Sequence, residues 1–370
     1  MHNQLKIVTV IGARPQFVKA AAVSREIANH SKIKEVIVHT GQHFDASMSE
    51  IFFTEMEIPK PDYSLEINSL GHGAMTGRMM EKIEEVLLKE KPDWVLVYGD
   101  TNSTLAGALA AKKLHMRVAH VEAGLRSFNM RMPEEINRIL TDRISDLLCC
   151  PTDQAVSNLQ QEGFDNFPCQ IVKTGDVMLD AALYYKTSSS ERSMVMERLE
   201  LKGREFLLCT VHRAENTDDP AVLASIIEAL NDIAHKLPVI VPLHPRTRKI
   251  ITALRLATEF TVIDPVGYFD MLELLKHAKL VMTDSGGLQK EAYFFGKPCV
   301  TLRRETEWVE LVESGCNLLT SEDRGSILAG FEHMMLCSAD FSTKLYGNGD
   351  ASVRIVKTLF GNENSGLNFT

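Results

Sequence analysis

The chain has 370 residues, 45% hydrophobic and 24% charged, a balance typical of a soluble globular protein and unlike that of a disordered one. At roughly 150 residues per domain it is expected to form about two domains, each large enough to bury its own core. Its 40 basic and 49 acidic side chains leave a net charge of −9, and no long Lys/Arg run supplies the basic face that nucleic acid requires.

No apolar stretch approaches the ~20 residues of a membrane span, and the run before Gly12 is too short for a secretory signal, so no membrane contact and a cytoplasmic location are expected. The seven cysteines include the adjacent pair Cys149 and Cys150 but no C-x-x-C pair. Set mostly in apolar runs, they read as buried free thiols of a reducing compartment, with no metal site.

In chain order one pattern recurs: a short β-branched run, a turn of Gly, Asp, Ser or Thr, then an amphipathic helix. Strands are predicted at 5–11, 35–40, 94–99, 117–122 and 146–150, then at 206–211, 239–243, 261–263, 280–283 and 298–302. Helices are predicted at 76–90, 103–114, 134–145, 221–236 and 288–295. Near-continuous apolar strands alternating with helices predict parallel sheets covered on both faces. The repeat breaks at 184–204, where KTSSSERS is polar. The reading is therefore an α/β protein of two facing Rossmann-like domains, 1–175 and 176–351, with a last helix at 352–370 that crosses back to the first.

Ligands of such sheets bind beyond the carboxyl ends of the strands, so the turns there carry the functional information. The first turn, Gly12-Ala13-Arg14-Pro15-Gln16-Phe17-Val18-Lys19, combines a tight turn with a helix start. Its free N–H groups and two cations suit an anion. It is neither G-x-G-x-x-G nor a P-loop, which argues against nicotinamide cofactors and ATP. The next turns bring Asp100 and Glu122, and Glu134 opens a helix soon after. Asp100 also reads as a plain N-cap, and Glu135 as a dipole partner of its helix. The three acids read as acid/base machinery, because their spacing gives no metal-binding cluster.

The second half offers His212 beside Arg213, His244 before Pro245, and Asp284-Ser285-Gly286-Gly287 running into a helix that carries Glu291. A strand entering D-S-G-G is a backbone nest for phosphate. Glu291, a turn later, is placed to reach ribose hydroxyls. His244 reads equally as a structural histidine or as part of the binding set. Anion seats on both domains, with acids on only one, predict a nucleotide-diphosphate sugar held in an interdomain cleft.

In order and spacing, GARPQFVK, YGDTNST, HVEAGLRS, MPEEINR, VHRAEN, LHPRTR and DSGGLQKEA resemble the motifs of the non-hydrolysing UDP-N-acetylglucosamine 2-epimerases, over roughly residues 5–360. The resemblance implies a glycosyltransferase-B-like fold, a homodimer, a UDP-sugar substrate and no cofactor. It implies catalytic roles for Asp100, Glu122, Glu134 and His212, an anion-binding pair in Arg14 and Lys19, and UDP contacts from Ser285, Gly286, Gly287 and Glu291. The expected reaction expels UDP from C1 as the C2 proton is lost. The proton then returns to the opposite face and UDP adds back. Neighbouring acids are expected to push one carboxyl pKa up, keeping a proton available for donation.

The chain departs from the branch acting on UDP-N-acetylglucosamine. The segment associated there with a second, regulatory UDP-sugar reads Gln42-His43-Phe44-Asp45-Ala46-Ser47-Met48, and Trp308 replaces an arginine. The spellings GLRSFNMRMPEEINR and KPCVTLRRETEWVELV are closer to the branch acting on UDP-2,3-diacetamido-2,3-dideoxyglucuronate in O-antigen synthesis. There, Arg131 or Arg303 is a candidate partner for the C6 carboxylate. Rival readings are a glycosyltransferase of the same fold, a hydrolysing epimerase, and a non-catalytic UDP-sugar sensor.

Overall fold

A computed structural model describes residues 4–42, 56, 58–336 and 338–361. The divergent segment 43–48, Cys337 and the tail 362–370 lie outside the described residues. The chain forms two compact units, one comprising residues up to Leu183 together with those from Leu345 onward, the other Tyr184–Lys344.

The first unit holds a seven-stranded sheet of β1 (Leu5–Ile11), β2 (Ile33–His39), β3 (Tyr63–Ser64), β4 (Trp94–Tyr98), β5 (Arg117–Val121), β6 (Leu147–Cys150) and β7 (Gln170–Lys173). Its order is β3-β2-β1-β4-β5-β6-β7, with every pairing parallel. The second holds β8 (Leu207–Thr210), β9 (Val239–Pro242), β10 (Thr261–Ile263), β11 (Leu280–Thr283), β12 (Cys299–Thr301) and β13 (Asn317–Leu319), in the order β10-β9-β8-β11-β12-β13, again all parallel. Each sheet thus reverses its winding once, between β1 and β4 and between β8 and β11.

Strand parity explains why apolar runs were the signal. Leu207 and Cys209 of β8 enter a core with Ile226, Leu230 and Phe331, while Leu208 between them enters another with Leu274, Leu275 and Leu288. Both faces are covered, so no polar alternation remains. In the first unit Val8, Val10, Val95 and Val97 pack under Met79, Ile83, Ala106 and Ala110.

All ten expected strands are present. Three short strands, β3, β7 and β13, carry too little apolar pattern to stand out; β7 is an edge strand with both end residues exposed.

The division between the units falls inside the helix Val177–Arg192, C-terminal to the 175/176 boundary read from the sequence. The first turns of that helix belong to the first unit. Asp180 accepts hydrogen bonds from Ala351 N (3.1 Å), Ser352 N (2.7 Å) and Ser352 Oγ (2.7 Å), capping the C-terminal helix Ala351–Gly361. Burial pushes the Asp180 carboxyl up despite those bonds. The polar KTSSSER stretch stays helical because Ser189 is buried and donates to Glu273 at 2.7 Å, itself paired with Lys276 at 2.7 Å. None of the helices is long and apolar enough to cross a membrane, among the described residues.

Candidate active site

The winding reversal between β1 and β4 leaves a crevice beyond their carboxyl ends, and β5 lies next to it. The residues that follow these three strands are the first turn, Gly99-Asp100 and Glu122. All three sequence-predicted turns therefore reach one edge of one sheet.

The first turn differs from expectation in one respect. The N–H groups of Gly12 and Ala13 are not open to an anion, because Gln16 folds back and its Oε1 accepts both, at 2.8 and 3.0 Å. Gln16 Nε2 in turn donates to Tyr98 O (2.9 Å) and Thr104 Oγ1 (3.0 Å), tying β1 to the β4 turn. A Cβ on Gly12 would overlap Thr40 Oγ1 and Ser103 Oγ, so only glycine fits. Two cationic side chains accompany this turn. Arg14 is half-buried at the start of the helix Arg14–Ala28. Lys19, one turn further, is buried and forms an ion pair with Glu122.

Glu122 sits in the left-handed region at φ 72°, where a residue with a Cβ is strained. The turn is held from both sides: Glu122 N and Ala123 N donate to Cys149 O at 3.1 Å, and Lys19 holds the carboxylate.

Asp100 is not an N-cap. Thr101 takes that role for the helix Asn102–Lys113, with Oγ1 accepting from Thr104 N at 3.3 Å. The Asp100 carboxylate is left to Arg138, whose Nη2 donates to it at 2.6 Å, and Asn137 Nδ2 donates to the Asp100 carbonyl at 2.9 Å. Both partners belong to the helix Pro133–Ile144. Glu134 is exposed in its first turn, four residues before Arg138 and so on the same face. Glu135, expected only to favour the helix dipole, is fully buried and accepts from Ser127 N, Ser127 Oγ and Phe128 N, each at 2.9 Å. It anchors the loop that enters this helix. Asp100 and Glu122 thus each face a cation.

In the second unit the winding reversal brings β8 and β11 side by side, with Thr210 Oγ1 and Thr283 Oγ1 2.6 Å apart at their ends. Asp284 follows β11 and is completely buried. Its Oδ2 accepts from His212 N and Arg213 N, both at 2.9 Å, and from Asn216 Nδ2 at 3.1 Å. Its Oδ1 lies 3.1 Å from His212 Nδ1, and the His212 side chain is half exposed. His244 caps the helix Pro245–Ala253, its Nδ1 accepting from Arg246 N at 3.3 Å. Burial, then the charges of His212 and Arg246, lower its pKa.

Ser285, Gly286 and Gly287 are half-buried where the helix Gly286–Phe294 begins, and Glu291 is buried along it. Part of the expected nest is already engaged. Ser285 N donates to Thr283 Oγ1 at 2.9 Å, and a Cβ on Gly286 would overlap Glu307 Oε1. Glu307 is buried and held by Arg303 Nη1 at 3.0 Å. Arg303 is therefore paired through Nη1 with Glu307, whereas Arg131 is exposed on the turn before Glu134.

Arg138 in the first unit, and Asp284 and Glu307 in the second, each hold residues read from the sequence without being among them. Arg138 had a signal, its i,i+4 spacing from Glu134. Asp284 stood inside a motif read for its glycines. Glu307 had none, because only tertiary packing brings it to Gly286. No cluster of three or more His, Cys, Asp or Glu able to hold a metal occurs among the described residues.

Residues 25–360 match the family model described as UDP-N-acetylglucosamine 2-epimerase. The chain is 57% identical to the UDP-2,3-diacetamido-2,3-dideoxy-D-glucuronate 2-epimerase of Pseudomonas aeruginosa, over 96% of this chain and 99% of the relative. It is 50% identical to a UDP-N-acetylglucosamine 2-epimerase homologue of Methanococcus maripaludis, over the same shares of each. The crystal structure of Methanocaldococcus jannaschii UDP-GlcNAc 2-epimerase, in complex with UDP-GlcNAc and UDP, is similar with a TM-score of 0.88 and 41% identity, covering 96% of this chain and 99% of that one. The expected glycosyltransferase-B-like α/β fold is borne out by these neighbours and the two parallel sheets. This chain belongs to the UDP-N-acetylglucosamine 2-epimerase family.

Proposed function

We propose that this protein inverts C2 of UDP-2,3-diacetamido-2,3-dideoxyglucuronate, giving the manno epimer for surface-polysaccharide synthesis. The observation that carries the choice of sugar is the 57% identity, over nearly the full length of both chains, to an enzyme named for that substrate. UDP-N-acetylglucosamine is the second reading, favoured by the 41% identical structure that binds it.

C2 has no adjacent carbonyl to acidify its hydrogen. Breaking the C1–O bond to UDP while a base takes the C2 proton forms a C1=C2 double bond and moves the electron pair of the broken bond onto the diphosphate. Protonation of C2 on the opposite face and re-addition of UDP to C1 reverse both changes, with no net consumption of water. Asp100, Glu122 and Glu134 are the groups we assign to the proton, each such transfer contributing roughly 10²–10⁴-fold. Arg14, Lys19, His212 and the Ser285–Gly287 turn are assigned to the departing diphosphate, where positive groups stabilise developing charge. Glu291 is assigned to the ribose, and His244 to the substrate-binding set. A homodimer in the cytoplasm completes the reading.

Incubation of each UDP-sugar in deuterated water, followed by NMR, tests it. Deuterium at C2 of both epimers with UDP still attached is expected. Release of free sugar indicates hydrolysis instead, and an unchanged substrate indicates transfer or sensing.

A further inference from the structure

His120 is the penultimate residue of β5, two residues before Glu122, and is completely buried. A buried imidazole needs both ring nitrogens matched. Nε2 lies 2.6 Å from the carbonyl of Gly99, the residue before Asp100. A carbonyl only accepts, so Nε2 carries a proton and donates to it. Nδ1 lies 2.7 Å from Asp142 Oδ1. Asp142 is also fully buried, and its other oxygen accepts from Gly124 N at 3.1 Å and Arg126 Nη1 at 2.7 Å. Arg126 closes the chain through a two-point contact with Glu162, at 2.6 and 2.8 Å.

The placement of Asp142 gives this network its meaning. It lies on the helix Pro133–Ile144, which also carries Glu134 and Arg138. Through His120 that helix is fixed to Gly99, and through Gly124 N to the turn of Glu122. Arg138 and Asn137, both buried, also hold the same helix to Asp100. One buried pair therefore sets the register of three separate elements, each contributing one acid.

We propose that His120 and Asp142 are positioning residues that hold Asp100, Glu122 and Glu134 in mutual register for proton transfer. The proposal rests on the epimerase reading above. An error of about 1 Å in such a register costs about 10²-fold in rate. A role confined to stability would lower the amount of folded protein and leave the turnover of each folded molecule unchanged.

The test compares folded His120→Gln, His120→Leu and Asp142→Asn with the unaltered protein, measuring kcat, KM, C2 deuterium exchange and UDP affinity. The expected result is a fall in kcat of about 10²-fold in His120→Leu, with KM and UDP affinity little changed. His120→Gln, which keeps an amide donor for Gly99, is expected to retain more activity than His120→Leu. Unchanged kcat in His120→Gln and Asp142→Asn overturns the proposal, as does a parallel loss of kcat and UDP affinity. If His120→Leu does not fold, the other two variants decide. If the unaltered protein exchanges no C2 proton with either UDP-sugar, the epimerase reading fails instead.

Discussion

Asp284 holds His212 by its backbone: one carboxylate oxygen accepts both the His212 and Arg213 N–H groups at 2.9 Å, while the other lies 3.1 Å from the His212 ring. The strand-end position of His212 is thus set by the neighbouring strand rather than by its own loop. Asp284→Ala leaves two backbone N–H donors and the Asn216 amide without this acceptor, at a cost of about 1–3 kcal/mol for each group left unsatisfied. It is expected to lower the unfolding midpoint in urea and to weaken UDP binding measured by calorimetry. Asp284→Asn keeps one acceptor oxygen and is expected to fall between the two.

Asp100 and Arg138 form a second pair whose coupling is measurable. Asp100→Asn is expected to lose most C2 deuterium exchange while still binding UDP. Arg138→Gln removes the charge 2.6 Å from that carboxylate and is expected to lower exchange as well. The double variant should lose much less than the product of the two single effects, because residues acting as a unit are not additive. Full multiplication of the two losses would show that Arg138 does not act through Asp100.

How far the sequence reveals this molecule depends on where each signal resides. Strands buried on both faces announce themselves as apolar runs, so Leu5–Ile11 and Leu280–Thr283 are plain. The turns after them are legible because parallel sheets carry ligands there, which is how Asp100, Glu122 and His212 stand out. Contacts made across elements leave no local trace. Nothing near Gly12 shows that Gln16 closes its amides, nor does anything near Gly286 show that Glu307 stands against it. The helix through KTSSSER was hidden for the same reason: its partner, Glu273, is 84 residues from Ser189.

Gly124 supplies a stability test at the Glu122 turn. Its φ is +80°, and an added Cβ would overlap the carbonyl oxygen of Ala155, a backbone atom that cannot rotate away. Strain and overpacking each cost about 1–3 kcal/mol, so Gly124→Ala is expected to lower the thermal midpoint by several degrees or to prevent folding. Gly203, with φ +71° and open space around it, is the control. Its alanine variant bears the conformational cost alone, and denaturation melts should rank it well above Gly124→Ala.

Glu35 links stability to pH. Its carboxyl accepts from Thr9 Oγ1 (2.5 Å) and Ser24 Oγ (3.0 Å), yet burial outweighs both bonds and raises its pKa from 4.5 to about 7. Between those two values the unfolded chain has lost the proton while the folded chain keeps it. Stability is therefore expected to fall as pH rises from about 4.5 to about 7 and to level off above, a penalty on the order of 1–3 kcal/mol at pH 8. Glu35→Gln stays neutral and should remove this part of the slope. Urea unfolding at pH 5 and pH 8 measures it: the variant is expected to gain stability relative to the unaltered protein at pH 8 only. An equal effect at both values would place the Glu35 titration outside this window.

Arg131 is expected to separate the two sugars. Arg303, the other arginine considered for the C6 carboxylate, is buried and bound to Glu307, whereas Arg131 is exposed on the turn leading to Glu134. Loss of one charge-assisted contact costs about 1.5–3 kcal/mol, or about 10–100-fold in kcat/KM. Arg131→Ala is expected to lose that much on UDP-2,3-diacetamido-2,3-dideoxyglucuronate and little on UDP-N-acetylglucosamine, which has a hydroxymethyl group at C5. Arg131→Lys keeps the charge without the fork and is expected to recover part of the loss. Competition between the two UDP-sugars in one NMR sample measures the ratio directly. Equal losses on both substrates would remove Arg131 from carboxylate recognition and favour UDP-N-acetylglucosamine as the sugar.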